Sequence, residues 1–261
     1  MRGRPHFWIY GGGAHLIRSP KISPPTASPL ESRHSGRRAE LRYETLSLSP
    51  AQAREFTELA AQGLEAVESF LGLDRRGHMI RFEICDGLPL AAAYGRTIRL
   101  PAHRVRSGTA PYLHEIVHAL LPCRHAPPWF TEGLACYVEC AVAKRGGGYD
   151  SHLFTANGNS GVDADAARWL DGARGRAVLR FVGARGLPPR IVQDRRGVAA
   201  PFYVLSQSLV KFLAERAGVP ALVRMARARR FGASLQRETG RSVQDWREEW
   251  LERLRSAVPH G

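Results

Sequence analysis

His114-Glu115-Ile116-Val117-His118 places two imidazoles and a carboxylate within five residues. On an α-helix, positions i and i+4 stack one turn above the other, so both histidines can reach a single ion. Neutral imidazole is a preferred ligand of Zn²⁺. The carboxylate of Glu115, one residue from a ligand, points about 100° around the helix. From there it reaches a water on the ion more readily than the ion itself. This spacing serves metal-assisted hydrolysis, with Glu115 as the general base that takes the proton of the attacking water.

A catalytic zinc usually takes three protein ligands and keeps one position open. Glu132 is the candidate third ligand, with thirteen residues between it and His118, in Pro127-Pro128-Trp129-Phe130-Thr131-Glu132-Gly133. Paired prolines suit the start of a helix, which puts Glu132 in its first turns. Phe130, Leu134, Tyr137, Val138 and Ala141 are expected to form the buried stripe of that helix, while Glu132, Cys136 and Glu139 project to another side. A helix, a tight turn and an antiparallel helix then turn Glu132 toward His114 and His118. The expected cofactor is one Zn²⁺ per chain. Glu139 has two readings: a hydrogen bond to a ligand histidine from behind, or a solvated or salt-bridged glutamate.

These side chains need elements to hold them. Leu113, Ile116, Val117 and Leu120 recur at i, i+3, i+4 and i+7, so a helix over about 110–121 buries one side and fixes the side that carries the histidines. Pro111 lies in its first turn and Pro122 ends it. A second helix spans about 129–143. Upstream, 41–48 reads as a strand, followed by a helix from Pro50 to about Leu71. Ser49 caps that helix and Gln52 completes a capping box. Strands follow at 79–85, where Ile80, Phe82 and Ile84 alternate, and at 97–100. The Gly- and Asn-rich stretch 144–161 reads as a loop that can act as a lid. Downstream, helices are expected at 163–171, 175–184, 201–217, 219–230 and 242–256. Strands first and helices after give an α+β fold. The site sits on a helix pair between a small N-terminal mixed sheet and a helical C-terminal half.

The chain has 261 residues, enough for a sizeable core. No run of eighteen apolar residues occurs, so no transmembrane helix is expected. Residues 1–40, rich in Pro, Ser, Gly and Arg, read as a disordered basic leader without a signal-peptide pattern, and order is expected from 41. On that reading a cytoplasmic location is expected. The net charge is +14, but Arg supplies 35 of the 38 basic residues and they are scattered. The ratio reflects compositional bias, and the RARR run at 227–230 reads as a solvated helix face. No nucleic-acid partner is expected. The four cysteines, Cys85, Cys123, Cys136 and Cys140, contain no CxxC pair, so reduced thiols are expected. His103, His125 and His152 read as surface or loop residues.

HEIVHAL followed by PPWFTEGLACYVE resembles the gluzincins, and among them the bacterial peptidase-MA-like proteins. The segment 202–213 is similar to their downstream helix and 238–250 to their C-terminal segment, so the likeness covers about 41–256. It implies one zincin-like domain over 41–261, with the sheet and active-site helices in about 41–143 and the helical half in about 162–256. It also implies a zinc peptidase acting on a peptide or protein substrate, and a sheet edge at 91–95 that takes substrate as an added strand, an ordinary turn being the other reading of that segment. Gluzincins often place a Tyr or His opposite the base to stabilise the oxyanion. Tyr203 is the matching candidate here, with a core tyrosine as its other reading. Cys123, Cys136 and the 144–161 stretch depart from the pattern. The alternative to an enzyme is a non-catalytic zinc protein that keeps the site for binding or structure.

Overall fold

A computed structural model describes residues 32–35, 38–43, 47–74, 79–143, 158–188 and 197–256. Leader residues 1–31, positions 144–157 of the expected lid, and His152 lie outside the described residues. In chain order the elements begin with β1 (Ser32–Ser35), β2 (Ala39–Tyr43), α1 (Pro50–Leu71), β3 (Ile80–Cys85), β4 (Ala92–Tyr94) and β5 (Thr97–Pro101). Then come α2 (Ala102–Arg106), α3 (Tyr112–Leu120), α4 (Pro128–Val142), α5 (Gly158–Asp171) and α6 (Ala173–Leu179). The rest is helical: α7 (Ala199–Ala217), α8 (Val219–Arg227), α9 (Phe231–Thr239) and α10 (Val243–Ser256). The fold is α+β.

The sheet order is β1-β2-β3-β5-β4. β2, β3 and β5 run parallel in the middle, and β1 and β4 pair antiparallel at the two edges. Leu41, Phe82 and Ile98 are in register across the parallel strands and almost fully buried, as the alternation in β3 requires. The intervening positions carry ion pairs on the other face, Glu40 with Arg42 and Arg81, and Glu83 with Arg99. The sheet is thus dry on one side and polar on the other.

α1 covers the dry face. Ser49 Oγ accepts from Gln52 N at 3.2 Å and Gln52 Oε1 accepts from Ser49 N at 2.9 Å, which is the expected capping box. Phe56 packs edge-on against Phe82 and against Tyr112 of α3. α3 in turn lies against β4 and β5 on one side and α4 on the other. α7 runs through the helical half and is buried along most of its length. Its Ser208 accepts from Trp250 of α10 and donates to Asp163 of α5, at 2.9 and 2.8 Å.

Several boundaries differ from the sequence reading. β1 and the start of β2 reach into the expected leader, because a strand at this edge is held by backbone pairing, Ser32 to Tyr43 and Ser35 to Glu40, without an apolar pattern. β2 ends at Tyr43, well short of 48. α2 is additional, five residues long and three of them basic, too short to show a period. α5 begins at Gly158 because Asn159 is held from outside: its Nδ2 donates to Tyr137 O at 2.8 Å and Gln207 Nε2 donates to its Oδ1 at 2.9 Å. α6 stops at Leu179, and Arg230 at the N-cap of α9 begins a helix absent from the reading.

Two glycines set how closely helices approach. A Cβ at Gly63 would lie 2.7 Å from the Tyr112 ring, and one at Gly133 would lie 2.4 Å from Ser206 O. The second contact is with backbone, which cannot swing aside. Gly133→Ala must therefore push α4 off α7, next to Glu132. Urea unfolding should show a loss at or above the upper end of the about 1–3 kcal/mol typical of overpacking. Gly232→Ala, where a Cβ meets nothing within 4 Å, is the control. It should be neutral or stabilise by up to about 1 kcal/mol. Equal behaviour of the two variants would contradict the close approach.

Candidate metal centre

α3 is locked by Leu113, Ile116 and Val117, all buried, and by Tyr112 under α1. This leaves His114 and His118 on the side facing α4, their side chains 12% and 17% exposed. α4 starts at Pro128, with Pro127 as its N-cap residue. Trp129, Phe130, Leu134 and Val138 anchor it in the core. Tyr137 is only half-buried and Ala141 is exposed, so the buried stripe is narrower than the expected one and turned toward Ala135. The turn keeps Glu132, Cys136 and Glu139 on the α3 side.

Nε2 of His114 lies 3.0 Å from Nε2 of His118 and 3.2 Å from Oε2 of Glu132. His118 Nε2 and Glu132 Oε2 are 3.6 Å apart. Three donor atoms from two helices thus meet around one point. Ligands at zinc–nitrogen and zinc–oxygen distances of about 2.0–2.2 Å in a tetrahedral shell are about 3.3–3.5 Å from each other. The donor set is borderline-soft nitrogen with one carboxylate, which suits zinc.

The charges point the same way. Burial opposes ionisation of His114, but Cys136, Glu132 and Glu139 outweigh it and hold the imidazole well above its ordinary value. Burial also works against Glu132, yet His118 and His114 keep its carboxyl far below the usual range. Glu115 is buried and pushed upward, chiefly by desolvation, with the two histidines pulling against it and Glu132 and Glu139 adding to it. Carboxylates outnumber cations here, so the cluster draws in positive charge, which a divalent ion would supply.

The other side of His114 is also occupied. Nδ1 lies 3.7 Å from Sγ of Cys136 and 3.7 Å from Oε2 of Glu139. Glu139 is therefore neither solvated nor on the outer face of α4: it is 4% exposed. Tyr203, on α7, sets its ring edge-on to His114 with centroids 6.2 Å apart. Arg104 of α2 and Tyr94 of β4 lie within electrostatic reach of Glu115. Burial raises the Tyr94 hydroxyl, Arg99 opposes, and Glu115 adds to it. Burial lowers the half-buried Arg104, against the pull of Glu139 and Glu115. Arg104 had no signal in sequence, since it approaches from an unrecognised helix. His103 and His125 are exposed, away from these donors.

No known family profile matches the chain, and no curated protein matches it. Solved structures to which the chain is similar include a mutant M1 zinc metallopeptidase from Deinococcus radiodurans, 18% identical over 84% of this chain and 50% of its own, with a TM-score of 0.47. A mutant of an M1 zinc metallopeptidase from that organism, bound to a Tyr-Ser-Ala substrate, is 16% identical over 81% and 47%, with a TM-score of 0.45. A further M1 zinc metallopeptidase from the organism is 17% identical over 86% and 49%, with a TM-score of 0.42. The chain spans about half the length of these proteins. No described helix is long and apolar enough to cross a membrane.

No disulfide joins the four cysteines, all of them among the described residues. Burial pushes Cys123 up to about 12 and raises Cys136 as well. In native protein, iodoacetamide should therefore leave both unmodified while the half-buried Cys85 reacts, and all four should react in denaturant. Rapid native labelling of Cys123, read by mass spectrometry, would contradict that burial.

Proposed function

We propose that the chain is a zinc-dependent hydrolase of peptide bonds. In this reading, zinc is held by His114, His118 and Glu132, with Glu115 as general base. One observation carries the reading: Nε2 of both histidines and Oε2 of Glu132 converge within 3.6 Å of one another, with a buried carboxyl of raised proton affinity beside them. The resemblance of HEIVHAL and PPWFTEGLACYVE to the gluzincins supports it.

When bound, a zinc ion supplies a Lewis acid that acidifies water and polarises a carbonyl. Glu115 takes the proton of the attacking water and returns it to the leaving amine. Its raised proton affinity brings it nearer to the operating pH, which favours both transfers. The Tyr203 hydroxyl donates to the carbonyl oxygen as negative charge builds there. β4 pairs with β5 alone among the described strands, so its outer edge offers backbone groups to an extended peptide. Leu90, 47% exposed, stands beside that edge as an apolar contact.

Metal analysis of protein purified without added metal should give near one zinc per chain. His114→Ala or His118→Ala should lose most of it, and Glu132→Gln should bind it markedly more weakly, because a neutral amide is a poor ligand. Full retention in both histidine variants excludes the site. Glu115→Gln should keep zinc and fold but lose peptide hydrolysis by orders of magnitude. If wild-type protein holds zinc yet cleaves nothing in a broad peptide library, the site is a binding or structural one.

Tyr203→Phe separates a catalytic hydroxyl from a core one. A lost oxyanion donor lowers kcat by about 10²–10³ with zinc content and melting unchanged. Normal turnover with an earlier melt assigns the hydroxyl to the core.

A further inference from the structure

His114 is shared by two donor sets. The first uses Nε2. The second gathers on Nδ1, where Cys136 Sγ, Glu139 Oε2 and Nδ1 all lie within 4.8 Å of one another. We propose that Cys136, Glu139 and Nδ1 of His114 form a second cation site, selective for thiophilic ions, whose filling displaces the ion of the first set. The displacement rests on the zinc reading above; the second site itself does not.

The Glu139 distance favours coordination over hydrogen bonding. Nδ1 is 3.7 Å from both Sγ and Oε2. A good N–H···O bond is about 2.7–3.2 Å, so Glu139 is too far for one. Two ligands of one tetrahedral ion, at about 2.0–2.1 Å for nitrogen and 2.3 Å for sulfur, stand about 3.5–3.6 Å apart. Both distances from Nδ1 are thus a few tenths of an ångström from those of a shared ion.

Glu139 supplies the independent sign. It is buried, and its second oxygen, Oε1, has no hydrogen-bond partner among the described residues. Leaving carboxylate lone pairs unmet in the interior is costly, and a coordinated cation would meet them. The charges also close. On binding, the thiol releases its proton to solvent, and the imidazole gives up the proton on Nδ1 and keeps or, as zinc leaves, takes one on Nε2; the metal–sulfur and metal–nitrogen bonds form, and thiolate plus carboxylate neutralise a divalent ion. A thiolate in the set selects cadmium, zinc or copper(I) over magnesium and calcium.

Exclusion follows from the imidazole. A neutral ring carries one lone pair and one N–H. With a cation on Nδ1 the proton sits on Nε2, which can no longer serve as a ligand beside His118 and Glu132. An ion on the cysteine side thus removes a ligand from the other.

The test is a cadmium titration of zinc-loaded and zinc-free protein. Wild type should develop the ultraviolet thiolate-to-cadmium absorption, saturating at one equivalent, and the zinc-loaded form should release its zinc as the band grows. Cys136→Ser should lose the band, and Glu139→Gln should weaken cadmium binding at least about tenfold. Single serine variants of Cys85, Cys123 and Cys140 should keep it. A band that persists in Cys136→Ser, or no band in wild type, overturns the second site, and a wild-type band without zinc release overturns the exclusion. If Cys136→Ser does not fold, Glu139→Gln carries the test alone. A band in protein that never takes zinc supports the second site and counts against the hydrolase reading.

Discussion

Three carboxylates, those of Glu115, Glu132 and Glu139, are carried into the interior around one imidazole. Burying that much negative charge is the constraint that the surrounding structure answers. Isolated charges cannot stay ionised in a dry interior. The two histidines meet part of the demand, which is why Glu132 is held low and His114 high. A cation at the focus of His114, His118 and Glu132 would meet more of it, and then the histidines would act as neutral ligands.

The packing exists to keep this cluster in register. α3 cannot rotate, since Leu113, Ile116 and Val117 are pinned beneath α1 and against the sheet. α4 cannot slide, since Trp129, Phe130, Leu134 and Val138 are buried and Gly133 sits against Ser206 O of α7. Glu132 precedes that glycine, so a close approach of α4 to the backbone of α7 lies one residue from a proposed ligand. α7 joins the two parts: it touches α4 through Ser206, α10 through Ser208, and brings Tyr203 to the His114 ring.

What could be read from the sequence was what local rules encode. The capping box at Ser49 and Gln52, the alternation of Ile80, Phe82 and Ile84, and the four-residue histidine spacing need only neighbours a turn or a pleat away. The placement of Glu132 in the first turns of α4, facing the histidines, was legible because the paired prolines fix where that helix starts. The rest depends on contacts between distant residues. Asn159 starts a helix inside a Gly-rich stretch because Tyr137 and Gln207 hold it, a tertiary override of propensity. The break before α9 carries neither Gly nor Pro at 228–230, so nothing local marked it. Arg104 and Tyr94 reach Glu115 only once the sheet and α2 are folded. Cys136 and Glu139 were placed on the correct side of α4, but their meeting at Nδ1 of His114 is a matter of helix separation, which spacing does not encode.

The central claim is that zinc sits on the Nε2 side of His114, between α3 and α4. Zinc K-edge X-ray absorption on protein loaded with one equivalent tests it directly. The account predicts only nitrogen and oxygen scatterers at about 2.0–2.2 Å, with the outer-shell pattern of two imidazoles and no sulfur. A sulfur scatterer near about 2.3 Å would put the ion on the Cys136 side instead, and a spectrum without two imidazoles would contradict the account outright.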